Sequence, residues 1–431
     1  MSRPSFLRAP LVAALVVATI AVFAAPAAAS PGDLDTGFGG DGIVTTAVNE
    51  VALGEAVVVT AEGKVIVAGV DSAASGPGSS MLLVEYNASG HLDHGFGGGD
   101  GIVELDLGQC TEARAVALDG QGRIVVAGVR ENCTTSNTVV VVARFLPDGS
   151  LDHSFGGGDG WTVTSLAGNG EYADGVAVDG SKIVVGGGVI PGGATRFRFL
   201  VLRYSANGTL DHSFSGNGIA TASLGNRHDE GLAVAVQPDH AIVACGLSES
   251  TSFHDRFAAI RYLPTGDLDT SFSGDGKATV GITAGFDDCR SVALDGGKIV
   301  LGGVADSDHA ADFGLVRLTA SGRPDPSFGS MGRTTLSLSP GDDEILGVAV
   351  DGAGRIVAAG WRDFLVNPRF GLARVLDDGT PDASFGNAGI VSTKIAKRSN
   401  ANAMALDGDT IVLAGQTTSP DDDVAVARYL A

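Results

Sequence analysis

Carboxylates grouped in short runs are the residues of this chain with the clearest capacity for chemistry: Asp287-Asp288, Asp342-Asp343-Glu344 and Asp421-Asp422-Asp423. Acidic oxygens held close together suit calcium, a hard cation that prefers oxygen ligands. None of the runs has the alternating D-x-D-x-D-G spacing of a calcium loop, so a solvated acidic surface is the simpler expectation, calcium a secondary one, and no cofactor is required. Trp361, in the segment WRDF with Asp363, offers an indole face on which a sugar or an aromatic ligand could stack. The binding candidates are accordingly Trp361, Asp363, Asp287, Asp288, Asp342, Asp343 and Glu344.

Catalysis by a nucleophile would require a Ser or Cys with a His and a carboxylate, and the chain has no G-x-S-x-G or comparable motif. No catalytic residue is nominated. Carboxylates together with His228, His254 or His309 keep an extracellular lyase or hydrolase on polysaccharide or peptide as the alternative function. His94, His153 and His212 share one repeated position, but Thr36, Thr270, Pro326 and Ala383 fill it elsewhere, which argues for turn residues and not zinc ligands.

Cys110, Cys133, Cys245 and Cys289 admit three pairings on paper. Cys110 with Cys133 is the expected disulfide, because both fall at one end of one repeat. Cys245 with Cys289 is the weaker pair, since Cys245 replaces an apolar strand residue and could equally be a buried thiol. Disulfides belong to an oxidising compartment, and the first residues agree. Arg3 and Arg8 precede an apolar run from Leu11 to Phe23, followed by small residues at Ala27 to Ala29. That is the pattern of a cleaved secretory signal over residues 1–29, leaving a secreted chain with no other stretch able to cross a bilayer. A net charge of −22 repels phosphate backbones and excludes nucleic acid as a partner.

The elements that must position these residues are repeated. The phrase LDHSFGGGDG (151–160) has near copies whose phenylalanines are Phe38, Phe96, Phe155, Phe214, Phe272, Phe328 and Phe385, spaced 56 to 59 residues apart. Within each period come an apolar run (GVAVDG, 175–180), a second (KIVVGGG, 182–188), a variable stretch, a third (FLVLRY, 199–204), the phrase itself and a fourth run (GIATASL, 218–224). Short Val- and Ile-rich runs bounded by Gly, Asn and Asp are strands. Four strands and no helix per unit predict an all-β fold: one domain over residues 30–431, a seven-bladed β-propeller of four-stranded antiparallel blades. The chain opens on a fourth strand (GIVTTAV, 42–48) and stops after a third (VAVARYL, 424–430), so the N-terminal strand is predicted to complete the last blade.

The phrase LDxSFGxxG, the strand DG-G-R-I-V-V-A-G (119–128, 351–360) and the R-Y ending resemble the delta-60 repeat family of bacterial secreted proteins. The resemblance covers nearly all of residues 32–431 and implies a propeller-like repeat fold. It implies no activity and no catalytic residues.

Strand alternation puts the connections between first and second and between third and fourth strands on one rim, and these are nearly invariant. The aspartate of the phrase is expected to accept the amide hydrogen two residues on, and to pair with the arginine that ends the third strand (Arg144, Arg203, Arg261, Arg317, Arg374, Arg428; Glu85 in one repeat). The other rim carries connections that differ in every repeat and are mostly acidic, and loops on a rigid frame are where binding resides. The expectation is a monomeric binding or interaction module for an extracellular protein or glycan, with calcium-dependent adhesion or stabilisation as a further alternative.

Overall fold

The computed structural model describes residues 29–72, 78–133, 137–166, 170–225, 227–250, 254–307, 310–364, 366–418 and 422–431. Residues 1–28, which hold nearly all of the expected leader, lie outside them, as do His309 and Asp421.

The chain is all-β, and its unit is a four-stranded antiparallel meander. The third unit comprises Glu171–Asp179, Lys182–Val189, Arg198–Tyr204 and Ile219–Ala222, paired in sequence order. The second and third strands are buried along almost their whole length, which is why KIVVGGG and FLVLRY read as continuous apolar runs without alternation. The same meander recurs through the chain. Four copies are separate sheets, and short parallel contacts at Val51↔Asp422 and Ser79↔Cys110 join the remaining strands into one twelve-stranded sheet. Within it, Ile43–Thr46 lies antiparallel on Asp422–Leu430, with Ile43 opposite Ala427 and Thr46 opposite Val424.

Hydrophobic clusters fill the spaces between neighbouring meanders. Ile66, Ala68, Met81 and Leu83 of the first pack against Ile124, Val126, Val141 and Ala143 of the second, with Phe96 between them. Val57, Val65, Leu82 and Val84 of the first also pack against Val412, Ala414, Val424 and Val426 of the last. Each meander thus has both faces covered, as a propeller blade requires.

The repeated phrase is a turn bolted to its neighbours. Asp152 Oδ1 accepts hydrogen bonds from Ser154 N (2.9 Å) and Ser154 Oγ (2.6 Å), while its Oδ2 receives Arg144 Nε at 2.7 Å. The guanidinium stacks 4.7 Å over the Phe155 ring, and its Nη1 donates to Ala206 O of the next repeat at 2.6 Å. The same Arg-to-Asp bond joins Arg203 to Asp211, Arg261 to Asp269, Arg317 to Asp325, Arg374 to Asp382 and Arg428 to Asp35, at 2.7–2.9 Å. Gly156 (φ +64°) is demanded by space as well as backbone angle, because a Cβ there would lie 1.9 Å from Trp161 O. Exposed His94 and His153 each bond through Nδ1 to a glycine carbonyl of their own turn, at 2.8 and 2.7 Å.

Both expected disulfides are present. Cys110–Cys133 ties a first strand to the connection after the second, and Cys245–Cys289 joins two neighbouring meanders. Among the described residues no helix is long and apolar enough to cross a membrane.

Candidate ligand-binding site

The first strand of every meander begins about four residues earlier than its apolar run, and each carries a β-bulge at the same point. Among the described residues these strands are Val51–Val59, Cys110–Leu118, Glu171–Asp179, Asp229–Val236, Asp287–Asp295, Asp343–Val350 and Ser399–Asp407. Their pairing registers skip Glu55, Arg114, Asp174, Leu232, Arg290, Leu346 and Asn402. A bulge leaves one residue without a cross-strand partner and re-aims its side chain. Among the described residues, all of these line one cavity of about 630 Å³.

The wall alternates charge with aliphatic surface. Arg114 bridges Glu112 of its own strand and Asp174 of the next, both at 3.0 Å. Arg290 does the same between Asp288 and Glu344, both at 2.9 Å. Asn402 Nδ2 donates to Gln416 Oε1 (2.7 Å) and Gly54 O (3.0 Å), with a longer bond to Glu55 Oε2 at 3.4 Å. Leu53, Val57, Val116, Leu232, Val292 and Met404 supply the apolar parts.

Burial pushes the Glu55 carboxyl up to about 7, with repulsion from Glu112 adding to it and Arg114 opposing it. Burial likewise pushes Glu344 up to about 7 against the pull of Arg290, and raises Asp174 and Asp288. At neutral pH Glu55 is therefore divided between acid and carboxylate forms in a cavity that also holds the Arg114 and Arg290 guanidinium groups, so donors and acceptors stand side by side. Carboxyls poised near 7 in a concave site are also the groups from which acid–base catalysts are made.

The sequence candidates divide. Asp288 and Glu344 meet through Arg290, which lines the cavity, and lie in strands and not in loops. Asp287 and Asp343 are fully buried and hold up the loops before them. Asp287 Oδ2 accepts from Ile282 N and Thr283 N, and Asp343 Oδ2 accepts from Leu338 N and Ser339 N. Asp342 accepts from Ala311 N at 3.1 Å, and Asp363, at φ +55°, donates its amide to Asp343 Oδ1. Trp361 is half-buried, paired in register with Glu344, and its ring lies 4.5 Å from that of Phe364. His228 contacts Glu230 at 3.2 Å, which raises its pKa, and His254 meets the edge of Phe286. Among the described residues no three of His, Cys, Asp and Glu are grouped to hold a metal ion.

Glu55, Glu112, Arg114, Asp174, Arg290 and Asn402 escape sequence reasoning. Their signal is nevertheless present: at one offset ahead of each apolar run, five of seven repeats place a charged or amide residue where a strand core would be apolar.

This fold and cavity define a β-propeller. A family model described as "Domain of unknown function (DUF5122) beta-propeller" matches residues 61–96, 122–155, 181–214, 297–328 and 354–385. Each match runs from the turn before a second strand to the phenylalanine of the repeated phrase, so the chain carries the repeat of a β-propeller repeat family. No curated protein matches it. Among solved structures it is similar to a gluconolactonase from Xanthomonas campestris (14% identity, TM-score 0.38, 84% of this chain and 95% of that one). An α-L-arabinofuranosidase from Fusarium graminearum, solved with an iminosugar inhibitor, shares 9% identity over 93% and 97% of the two chains, with a TM-score of 0.43. The β-propeller domain of the Trilobed protease from Pyrococcus furiosus shares 10% over 89% and 94%, with a TM-score of 0.45. Likenesses at this level bear on none of the site's chemistry.

Proposed function

We propose that the chain is a secreted binding module, a ring of seven four-stranded blades closed by the N-terminal strand, that takes a saccharide or glycan chain end into its central cavity. The observation that carries this is the alternation of carboxyls, guanidiniums and an amide with Leu and Val side chains around a cavity of about 630 Å³. Sugars present hydroxyls that both donate and accept, together with apolar C–H faces, and small-ligand sites of roughly 300–1,000 Å³ fit them. Closure is supported by the pairing of Ile43–Thr46 with Asp422–Leu430 and by the hydrophobic cluster shared by first and last meanders. Secretion is supported by the two disulfides and by the leader pattern of residues 1–29.

The test is an array of neutral and charged glycans probed with the mature protein, alongside pull-downs from culture medium. Selective glycan binding supports the reading; capture of protein partners with no glycan bound overturns it.

A second reading, an extracellular hydrolase or lyase, is favoured by one observation: among the described residues Glu55 has only the 3.4 Å bond from Asn402, and it sits near pKa 7. Turnover of any glycan hit, lost in Glu55→Gln with binding retained, would establish it.

A further inference from the structure

A second concave site lies at the variable rim between the third and fourth meanders. The cleft, of about 710 Å³, is lined by Arg196, Arg227, Arg256, Ser248, Ser250 and Glu249, among others. Three guanidinium groups around one carboxylate run against the composition of a chain with 28 basic and 50 acidic residues. The arginines come from three separate segments: the connection before Arg198–Tyr204, the connection before Asp229–Val236, and the strand Asp255–Tyr262. Glu249 is engaged by Arg227 Nη1 at 3.3 Å and by the His228 amide at 3.4 Å. Arg196 and Arg256 are exposed and have no carboxylate within 4.0 Å among the described residues.

Guanidinium forks match the geometry of carboxylates and other oxyanions, and two that have no acidic partner among the described residues are open to one. Phe197, next to Arg196, lies 5.1 Å from the His228 ring and 5.3 Å from Tyr172, an aromatic patch beside the cleft on which a pyranose C–H face can rest. The overall charge of −22 repels polymers with densely packed anions, whereas single carboxylates spaced along a sugar chain are repelled less. We propose that this cleft binds the carboxylate of a uronic-acid saccharide, with Arg196 and Arg256 as its direct ligands and Arg227 in support. The site is independent of the central cavity.

Calorimetric titration of the mature protein with trigalacturonate, with neutral galactotriose and with an oligoglutamate peptide tests this. Trigalacturonate should bind, inorganic sulfate should compete with it, rising salt should weaken it, and galactotriose should bind roughly tenfold less tightly or not at all. Arg196→Ala/Arg256→Ala, on exposed side chains, should weaken trigalacturonate by about tenfold or more at unchanged melting temperature, with the double Lys variant intermediate. Leu232→Trp, which narrows the central cavity, should leave this binding intact. Equal affinity for charged and neutral trisaccharides, indifference to the double Ala change, or binding of the peptide without the saccharide would overturn the assignment.

Discussion

Lys64 Nζ lies 2.9 Å from Glu85 Oε1, and the same ammonium reaches Asp93 Oδ2 at 2.7 Å. Glu85 stands where six other repeats carry the arginine that bonds the aspartate of the turn, and it is 2% exposed. The repeat has exchanged its charges: the cation has moved to the head of the second strand and serves both acids. Equivalent cations elsewhere, such as Lys182 near Asp211 and Arg123 near Asp152, are additions to an arginine already present.

Removing Lys64 therefore strands a buried carboxylate. Lys64→Ala should destabilise the protein by roughly 2–4 kcal/mol in denaturant titrations, near the lower end of a buried-pair loss because the lysine is itself partly exposed. Lys64→Ala/Glu85→Arg, which restores the arrangement of the other repeats, should recover most of the loss. Additive behaviour of the two changes would show that the pair is not coupled.

The Arg–Asp bonds predict how acid unfolds the protein. Burial alone would raise Asp325, but hydrogen bonds from Ser327, with Lys298 and Arg317, bring it down to about 2. A depressed carboxyl contributes stability that is complete above its unfolded value near 4 and is lost as pH falls through the folded value. Asp325→Asn should lower the melting temperature at pH 6, and the gap from wild type should close between about pH 4 and pH 2. A gap constant across that window would contradict the depressed value.

Glu55 has the opposite sign. With a folded pKa raised to about 7, its ionisation costs stability, so the contribution is most favourable below its unfolded value and is lost as pH rises through 7. Glu55→Gln should match wild type near pH 4 and exceed it at pH 8, by ~1–3 kcal/mol, because each tenfold change in proton affinity is worth about 1.4 kcal/mol. Equal stability at both pH values would indicate an ordinary carboxylate.

The Cys245–Cys289 bridge closes a span of 44 residues between neighbouring meanders, with both cysteines fully buried. Replacing both by alanine should cost about 3 kcal/mol or somewhat more, because the unfolded chain is freed and packing is lost together. Cys110→Ala/Cys133→Ala, at a half-buried to exposed site, should cost less in the same measurement.

Much of the fold is legible because it is written repeatedly: the positions of Phe155, Arg144 and Asp152 recur, and the turn they form depends on local chemistry that any copy reveals. The cavity is not legible in this way. Period-two reasoning assigns Asp288 and Glu344 to a loop, because a strand flanked by polar residues on every other position has no apolar partner to announce it. Those positions are half-buried against Arg290, which lines the cavity, and the bulge at Arg290 shifts the alternation halfway along the strand. Asp287 and Asp343 belong to the same acidic runs and look equally free to bind, yet they are consumed in holding loop amides. The difference of one residue, Asp287 against Asp288, is the alternation of faces on a strand whose polar start conceals it.

The central claim is that the cavity holds the ligand, and calorimetric titration of the best neutral glycan from the array into wild type and Leu232→Trp tests it most directly. Binding lost in Leu232→Trp, weakened about tenfold or more in Asp174→Asn, and retained when Trp361 is changed to Ala is the predicted result. Undiminished binding by Leu232→Trp, folded and with the cavity narrowed, together with undiminished binding by Asp174→Asn, would contradict the account and move the site to the rim.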